Sequence, residues 1–179
     1  ETKEDYISVF TEPLWPPENL QGSANQHDAQ VDVALSWDAP QDPGAFTEGF
    51  EGGSLPGGWL VIDNDGDGYI WINTIELGAG FDTHSGEGCM TSASYDNNVG
   101  PLTPDNWLIT PAFTMSNSSS LSYWHDAQDP LYADEHYYVK VSTTGNNIDD
   151  FTDVVYDGIT PADWAQVTID LSAYANQTV

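Results

Sequence analysis

The feature that most constrains the fold of this chain is the absence of any sustained 3.6-residue apolar period. Apolar side chains instead alternate with polar ones over short stretches, which are separated by Gly, Pro and Asn. A period of two is typical of strands with one buried face, whereas an amphipathic helix needs the longer period. We therefore predict an all-β chain with scarce helix, folded as an antiparallel jelly-roll β-sandwich.

Three regions are predicted along the chain. Residues 1–16 have no steady period and contain two prolines, so we expect a linker or extended arm there. Residues 17–43 include one clear strand, in which Val31, Val33, Leu35 and Trp37 share a face. Residues 44–179 form the main domain. Its predicted strands cover residues 46–51, 59–62, 69–77, 107–110, 121–125, 137–142, 154–156 and 164–171.

The charge of the chain restricts its partners. It has 29 acidic residues against two lysines, giving a formal net charge of -27. Nucleic acid and anionic lipid are both disfavoured, because a phosphate backbone or an anionic surface would be repelled. No apolar run is long enough to cross a bilayer, so we expect no membrane insertion. Seven Trp, nine Tyr and six Phe supply more apolar surface than a disordered acidic tail carries.

An aspartate repeat follows the second predicted strand of the main domain. Asp63, Asp65 and Asp67 lie on alternate residues and are followed by Gly68, the spacing of the first half of a helix-loop-helix calcium loop. The glutamate due at position 12 is replaced by Thr74, and strands rather than helices flank the repeat. The sequence predicts a Ca²⁺ ion in a loop between strands, with further ligands from distant residues. The alternative is an Asp/Gly turn with solvated carboxylates.

Other candidate residues carry weaker signals. Asp105, after Pro104, is either an Asx turn that opens a strand or a ligand of a further cation. Cys89 is the only cysteine, so no internal disulfide forms, and a small buried side chain is the simplest role for it. No histidine stands beside a serine or cysteine in a nucleophile elbow, and no phosphate-binding loop precedes a helix. We predict that the chain is not an enzyme.

Seven motifs stand out along the main domain, in this order: Phe46-Thr47-Glu48-Gly49-Phe50-Glu51, Gly58-Trp59, the aspartate repeat, Leu102 to Pro111, Ala127-Gln128-Asp129, Glu135-His136-Tyr137 and Val141 to Gly145. Together they resemble the cleaved adhesin family, the jelly-roll modules of gingipain and haemagglutinin proteins. The resemblance implies an extracellular or cell-surface, non-catalytic, calcium-bound module that adheres to host or matrix proteins or glycans. It also implies that Glu51 reaches the same ion, and that residues 17–43 are a partial fibronectin type III-like strand pair.

One departure from the family concerns the end of the domain. Family members continue beyond the segment that matches residues 167–174 into further strands, whereas this sequence stops at Val179. We therefore expect an open sheet edge, which neighbouring copies or another chain would fill by strand addition. An alternative function is a carbohydrate-binding module of a secreted multidomain hydrolase or protease. It would use exposed aromatics among Trp59, Trp71, Trp107, Trp124 and Trp164.

Overall fold

The computed structural model describes residues 18–27, 30–38, 47–78, 80–117 and 119–179. Backbone contacts divide the chain into two units, Glu1–Pro43 and Gly44–Val179. In the first unit, β1 (Glu18–His27) pairs antiparallel with β2 (Gln30–Asp38). The predicted arm at residues 1–16 lies outside the described residues. The fibronectin-like character of residues 17–43 stays a prediction, because the pairing of two strands does not identify a family.

The second unit is built from short strands. In order they are β3 (Leu60–Asp63), β4 (Ile72–Asn73), β5 (Met90–Thr91), β6 (Tyr95–Asp96), β7 (Gly100–Pro101), β8 (Asn106–Ile109), β9 (Ser120–His125), β10 (His136–Val141), β11 (Asp153–Ile159) and β12 (Ala165–Asp170). The described pairs are all antiparallel: β3 with β8, β4 with β5, β6 with β7, β9 with β12 and β10 with β11. The predicted mostly antiparallel β-fold with little helix is thereby confirmed.

The apolar core lies where the β9–β12 and β10–β11 pairs meet. Alternate residues of β9 and β12 turn inward, as expected for strands with one buried face, whereas the pairing of β10 with β11 has a register shift between Val139 and Lys140. Four residues are buried at its centre: Met115, Val141, Ile169 and Leu171. The backbone of residues 113–115 pairs with that of residues 176–179, so the last described residues help to close this core.

Two predicted strands differ from the structure. Residues 47–50 contain no strand, and Phe50 has a φ of 60°, which an extended strand does not allow. Of the stretch 69–77, only β4 is extended, and it runs directly into helix α1 (Thr74–Leu77). The helix begins here because the Asn73 side chain accepts a 2.9 Å hydrogen bond from the Ile75 N–H. It ends at Gly78, whose φ is 66°.

Helix in the described part of the chain is limited to α1 and three 3₁₀ turns, Pro130–Tyr132, Ile148–Asp150 and Ser172–Tyr174. None of the described helices has the length and apolarity that a membrane span needs. Cys89 is half-buried, and burial raises the pKa of its thiol. A raised pKa leaves little thiolate at neutral pH, which agrees with the passive role predicted for this residue.

Candidate metal site

The aspartate repeat lies at one end of the β3–β8 pair. Strand β3 ends at Asp63, which lies opposite Asn106 on β8. The chain then leaves the sheet through a loop of residues 64–69, in which Gly66 and Gly68 have φ values of 73° and 86°. Residues other than glycine rarely adopt this left-handed backbone conformation, so the two glycines permit the tight turn that the repeat requires.

The three carboxylates stabilise the loop by accepting hydrogen bonds from its backbone N–H groups. Asp63 accepts hydrogen bonds from the N–H groups of Gly66 at 2.7 Å and Gly68 at 2.9 Å. Asp65 accepts from the Asp67 N–H at 3.1 Å, and Asp67 accepts from the Tyr69 N–H at 2.8 Å. Each aspartate therefore fixes the backbone two to five residues ahead of it. The carboxylates are oriented toward the backbone of the turn as a consequence.

Asn64 and Asp105 join this loop to the start of β8. The Asn64 N–H donates to the Asp105 carbonyl at 3.1 Å, and its side-chain amide donates to the Asp105 carboxylate at 2.6 Å. The Asp105 N–H donates in turn to the Asp65 carboxylate at 2.7 Å. Two segments about forty residues apart in sequence are thus connected by three hydrogen bonds. Sequence reasoning did not single out Asn64, because its partner is remote.

The charge state of Asp65 follows from these bonds. The Asp105 N–H, and after it the Asp67 N–H, hold the pKa of the Asp65 carboxyl below its ordinary value, although desolvation opposes the shift. Hydrogen bonds to the charged form of an acid stabilise that form. Asp65 is therefore ionised at neutral pH, which is the state that binds a cation.

The geometry of the repeat fits one hard cation. One carboxylate oxygen from each of Asp63, Asp65 and Asp67 lies within 4.8 Å of the others. Calcium binds oxygen at 2.3–2.6 Å, so two ligands of a single ion are at most about 5.2 Å apart. Three carboxylates of like charge this close repel one another unless a cation neutralises them. Their positions and chemistry match calcium, and their exposure leaves room for water as additional ligands.

The other two predicted ligands are placed differently. Asp105 is not a member of the carboxylate cluster that Asp63, Asp65 and Asp67 form, and its two oxygens accept hydrogen bonds from the Asn64 amide and from the Trp107 indole N–H at 2.8 Å. The Glu51 carboxylate accepts from the Glu87 N–H at 2.7 Å and lies so close to Gly86 that a Cβ there would overlap it. The structure therefore gathers three of the five predicted ligands, with Asp105 beside them as a support. Glu51 is held by the 86–87 segment instead.

The chain is similar to known adhesin domains. The profile of the Cleaved Adhesin Domain family matches residues 45–160, well over half of the chain. The chain belongs to the Cleaved Adhesin Domain family. This family was the one indicated by the sequence motifs, and the matched region lies within the second structural unit. The matched region does not include residues 17–43, whose fibronectin-like character stays a prediction.

Curated relatives of this cleaved adhesin domain come from Porphyromonas gingivalis. It is 39% identical to Hemagglutinin A of strain W83 over 92% of its length, and 39% identical to Lys-gingipain W83 over 87%. It spans only 8% and 9% of those two proteins. One relative is named Protease PrtH, but the family match describes an adhesin module and not a catalytic one.

Solved structures give the same assignment. The K1 cleaved adhesin domain of Lys-gingipain superposes with a TM-score of 0.64 at 36% identity, covering 73% of this chain and 83% of that domain. The K2 domain of the same protein gives a TM-score of 0.61 at 28% identity, covering 74% and 86%. The helix-poor, antiparallel fold described above is therefore the fold of this family.

Proposed function

We propose that this chain is a non-catalytic, calcium-binding adhesion or surface-assembly module of a larger extracellular or cell-surface protein. The match of residues 45–160 to the Cleaved Adhesin Domain family carries this proposal. The relatives named as a hemagglutinin and as gingipains support an external location and a ligand on a host surface. The ligand class is a host or matrix protein or glycan.

Calcium has a structural role in this proposal. Asp63, Asp65 and Asp67 bind the ion, and Asp105 keeps the loop against β8. Glu51 is a ligand only after its carboxylate leaves the Glu87 N–H. An ion bound among three carboxylates removes their mutual repulsion and fixes residues 64–69, so that the loop presents one conformation to a partner.

The finer fold that we propose is a jelly-roll β-sandwich. The support is the meeting of the β9–β12 and β10–β11 pairs on one apolar core, which is the packing of a two-layer β protein. Residues 17–43 form a fibronectin-like strand pair in this proposal, as an appendage to the adhesin domain.

The calcium site is tested first by removal of the ion. Excess chelator is expected to lower the melting temperature, because a ligand that binds only the folded state at about 100 times Kd stabilises it by about 2.7 kcal/mol. Asp65→Ala should gain nothing from added calcium, and it should melt at or below the chelator value of the wild type because it also loses two hydrogen bonds from backbone N–H groups. Asp163→Ala, which also removes one exposed carboxylate, is the matched control and should keep the calcium response. Superimposable melting curves for the wild type with and without calcium would contradict the site.

Adhesion is tested separately with the same variants. The wild-type chain is expected to bind erythrocytes or immobilised matrix proteins in calcium, and Asp65→Ala should bind more weakly because its loop is less ordered. Asp163→Ala should bind as the wild type does. Absence of binding to every host surface tested, from a chain that is folded and loaded with calcium, would contradict the adhesive function without affecting the metal site.

A second candidate function is carbohydrate binding, which one aromatic cluster favours. Trp124 is 44% exposed, and the His84 ring stacks on it with centroids 3.7 Å apart. Trp164 lies edge-on to the same His84 ring, and its buried indole N–H has no partner among the described residues. Aromatic rings of this kind provide stacking surfaces for sugars. Binding to a polysaccharide that is lost in Trp124→Ala, but retained in Asp65→Ala, would favour this function over the first.

A further inference from the structure

Residues 82–84 pack against the end of strand β9. The His84 ring stacks on the Trp124 indole, with centroids 3.7 Å apart and planes inclined by 14°. Asp82 lies close enough to Asp126 for its charge to act on that carboxyl. The two segments therefore meet through a pair of rings and, two residues along each segment, a pair of carboxylates.

Strand β12 adds a third ring to this place. The β9–β12 ladder ends with His125 opposite Ala165, so Asp126 and Trp164 leave the ladder side by side. Trp164 lies edge-on to the His84 ring, with centroids 5.7 Å apart. Three rings and two carboxylates thus form one aromatic–acidic cluster, which consists of Asp82, His84, Trp124, Asp126 and Trp164.

The carboxylates of this cluster lack a cation. Within the described ranges, no hydrogen bond or ion pair reaches Asp82 or Asp126, and Lys140 lies over Trp107 and Tyr138 instead. Asp126 is half-buried, and burial, followed by the charge of Asp82, raises the pKa of its carboxyl. A charge that is partly buried without a partner costs free energy, and perturbed carboxyls of this kind are concentrated at functional sites.

The geometry favours an organic cation over a metal ion. In the described part of the chain, the only acidic groups close enough together to share one ion are those of the aspartate repeat. His84 covers one face of the Trp124 ring, yet Trp124 is 44% exposed, so the rest of the ring is open to a ligand. A cationic group placed over an indole is attracted by the ring as well as by a nearby carboxylate.

A guanidinium group matches both parts of the cluster. It is planar, so it stacks on an aromatic face, and its fork of N–H donors pairs with a carboxylate. An ammonium group offers the charge without the flat surface. The formal net charge of -27 also favours the approach of a basic partner over an acidic one.

We propose that the aromatic–acidic cluster binds an arginine side chain of a protein partner. The guanidinium stacks on the open part of the Trp124 ring and pairs with Asp126, while the charge of Asp82 adds to the attraction. The inference deepens the proposed adhesive function, and rests on it, by naming the group that the partner presents. It differs from the second candidate function, in which Trp124 stacks on a neutral sugar.

The direct test is an NMR titration of the wild-type chain with N-acetylarginine amide. Excess calcium keeps the aspartate repeat occupied, and about 150 mM NaCl screens distant carboxylates. We expect saturable shifts of the Trp124 indole N–H and of the backbone amides of residues 82–84 and 124–126. N-acetylcitrulline amide has the same shape without the charge, so it should give no saturable shift. Equal shifts from the two probes, or shifts confined to other residues, would overturn the proposal.

Asp126→Asn tests the carboxylate without the risk of unfolding. The substitution preserves the size of the side chain and removes a charge that burial disfavours, so the variant should be at least as stable as the wild type at neutral pH. Its affinity for the arginine probe should fall at least about threefold, as expected for the loss of one ion pair near the surface.

Asp149→Asn is the matched control for charge. Asp149 is exposed and lies on the connection between β10 and β11, at the opposite end of that pair from Ile159. The Ala127 N–H, one residue beyond Asp126, bonds to the Pro161 carbonyl just past Ile159, so the control is remote from the cluster. It should bind arginine as the wild type does. Equal losses in the two variants would show general attraction to net charge and overturn the proposal.

Trp124→Leu tests the aromatic surface. It removes the ring but keeps an apolar side chain, and the affinity for the arginine probe should again fall at least about threefold. Tyr138→Leu is the control, because it removes a ring of similar exposure, 52%, from strand β10. Unchanged affinity in Trp124→Leu would overturn the proposal. So would saturable binding of maltotriose that Trp124→Leu abolishes in a chain that does not bind the arginine probe.

The adhesion assay separates this inference from the adhesive function. Loss of both the arginine probe and host binding in Asp126→Asn would support the cluster as the adhesive surface. If that variant loses the probe but adheres as the wild type does, the assignment of the partner fails and the adhesive function stands. If the wild type binds the probe but no host surface, the adhesive function fails, and the assignment of the partner fails with it.

Discussion

At the scale of single residues, the same carboxylates shape the loop and provide its charge. Asp63, Asp65 and Asp67 were found from sequence because their spacing is local, and each bonds to backbone within five residues of itself. The position of Glu51 was not predictable in this way. Its carboxylate meets a segment 36 residues away, so its partner depends on the folded chain.

Asp126 offers a test of how burial acts on one acid. Burial, and then the nearby Asp82 charge, raise the pKa of the Asp126 carboxyl above its ordinary value. A raised pKa means that the folded state disfavours the charged form. The penalty is full above the folded pKa and disappears as pH falls below the ordinary value of 3.8. Asp126→Asn is therefore expected to raise the melting temperature at neutral pH but not at low pH.

Melting temperatures measured from pH 7 down to about pH 3 check this expectation, because the range spans the ordinary carboxyl pKa. Asp163→Asn is the control, since it removes one negative charge from an exposed position and so reports general repulsion. A stabilisation by Asp126→Asn that equals the control, or that persists unchanged at low pH, would contradict a local effect of burial.

At the scale of elements, the alternation of apolar and polar residues located the long strands correctly. It failed where local hydrogen bonds favoured a helical turn instead. The stretches predicted around β9, β10, β11 and β12 are strands in the structure because each has one face on the core. The stretch 69–77 is apolar enough for a strand, yet Asn73 and Gly78 terminate β4 and enclose a single helical turn. These two residues are ordinary helix start and stop signals, and could have been recognised as such.

Asn73 is expected to be one of the most sensitive positions of the second unit. It is 1% exposed, caps α1, and donates a 2.7 Å hydrogen bond from its side chain to the Phe50 carbonyl. Asn73→Ala removes the cap and leaves that carbonyl unpaired, so unfolding should become easier by about 2–3 kcal/mol. Chemical denaturation measures the change.

Asn146→Ala is the matched control for Asn73. Asn146 is exposed on the 146–149 loop, so its substitution should change the free energy of unfolding by less than about 0.5 kcal/mol. Equal effects at the two positions would show that the bonds of Asn73 contribute no more than an average surface side chain.

At the scale of the whole molecule, net charge is the dominant property. With 29 acidic residues and two lysines, very few carboxylates can have a cationic side chain as a partner. Lys140, in the described part of the chain, lies over the rings of Trp107 at 5.0 Å and Tyr138 at 5.8 Å. The folded state must therefore tolerate repulsion that only dissolved or bound cations reduce.

Stability is accordingly expected to increase with ionic strength. Raising NaCl from about 10 mM to about 100 mM shortens the Debye length from about 30 Å to about 10 Å, which screens most of the repulsion between distant carboxylates. The measurement is made in chelator, so that specific calcium binding does not contribute. Under that condition the melting temperature should rise as the NaCl concentration rises. Choline chloride should act as NaCl does. A melting temperature that stays constant as either salt is added would contradict the expectation.

The sequence alone determined the β character, the family and the three aspartates, because each depends on residues near one another along the chain. Alternation of apolar and polar residues indicates a strand with one buried face, and the Asp–Gly spacing indicates a turn that brings carboxylate oxygens together. Tertiary structure alone decided that Asn64 and Asp105 join the loop to β8, and that Glu51 bonds to the 86–87 segment. These features require strands distant in sequence to meet, and pairing between remote segments is set by the packing of the whole core.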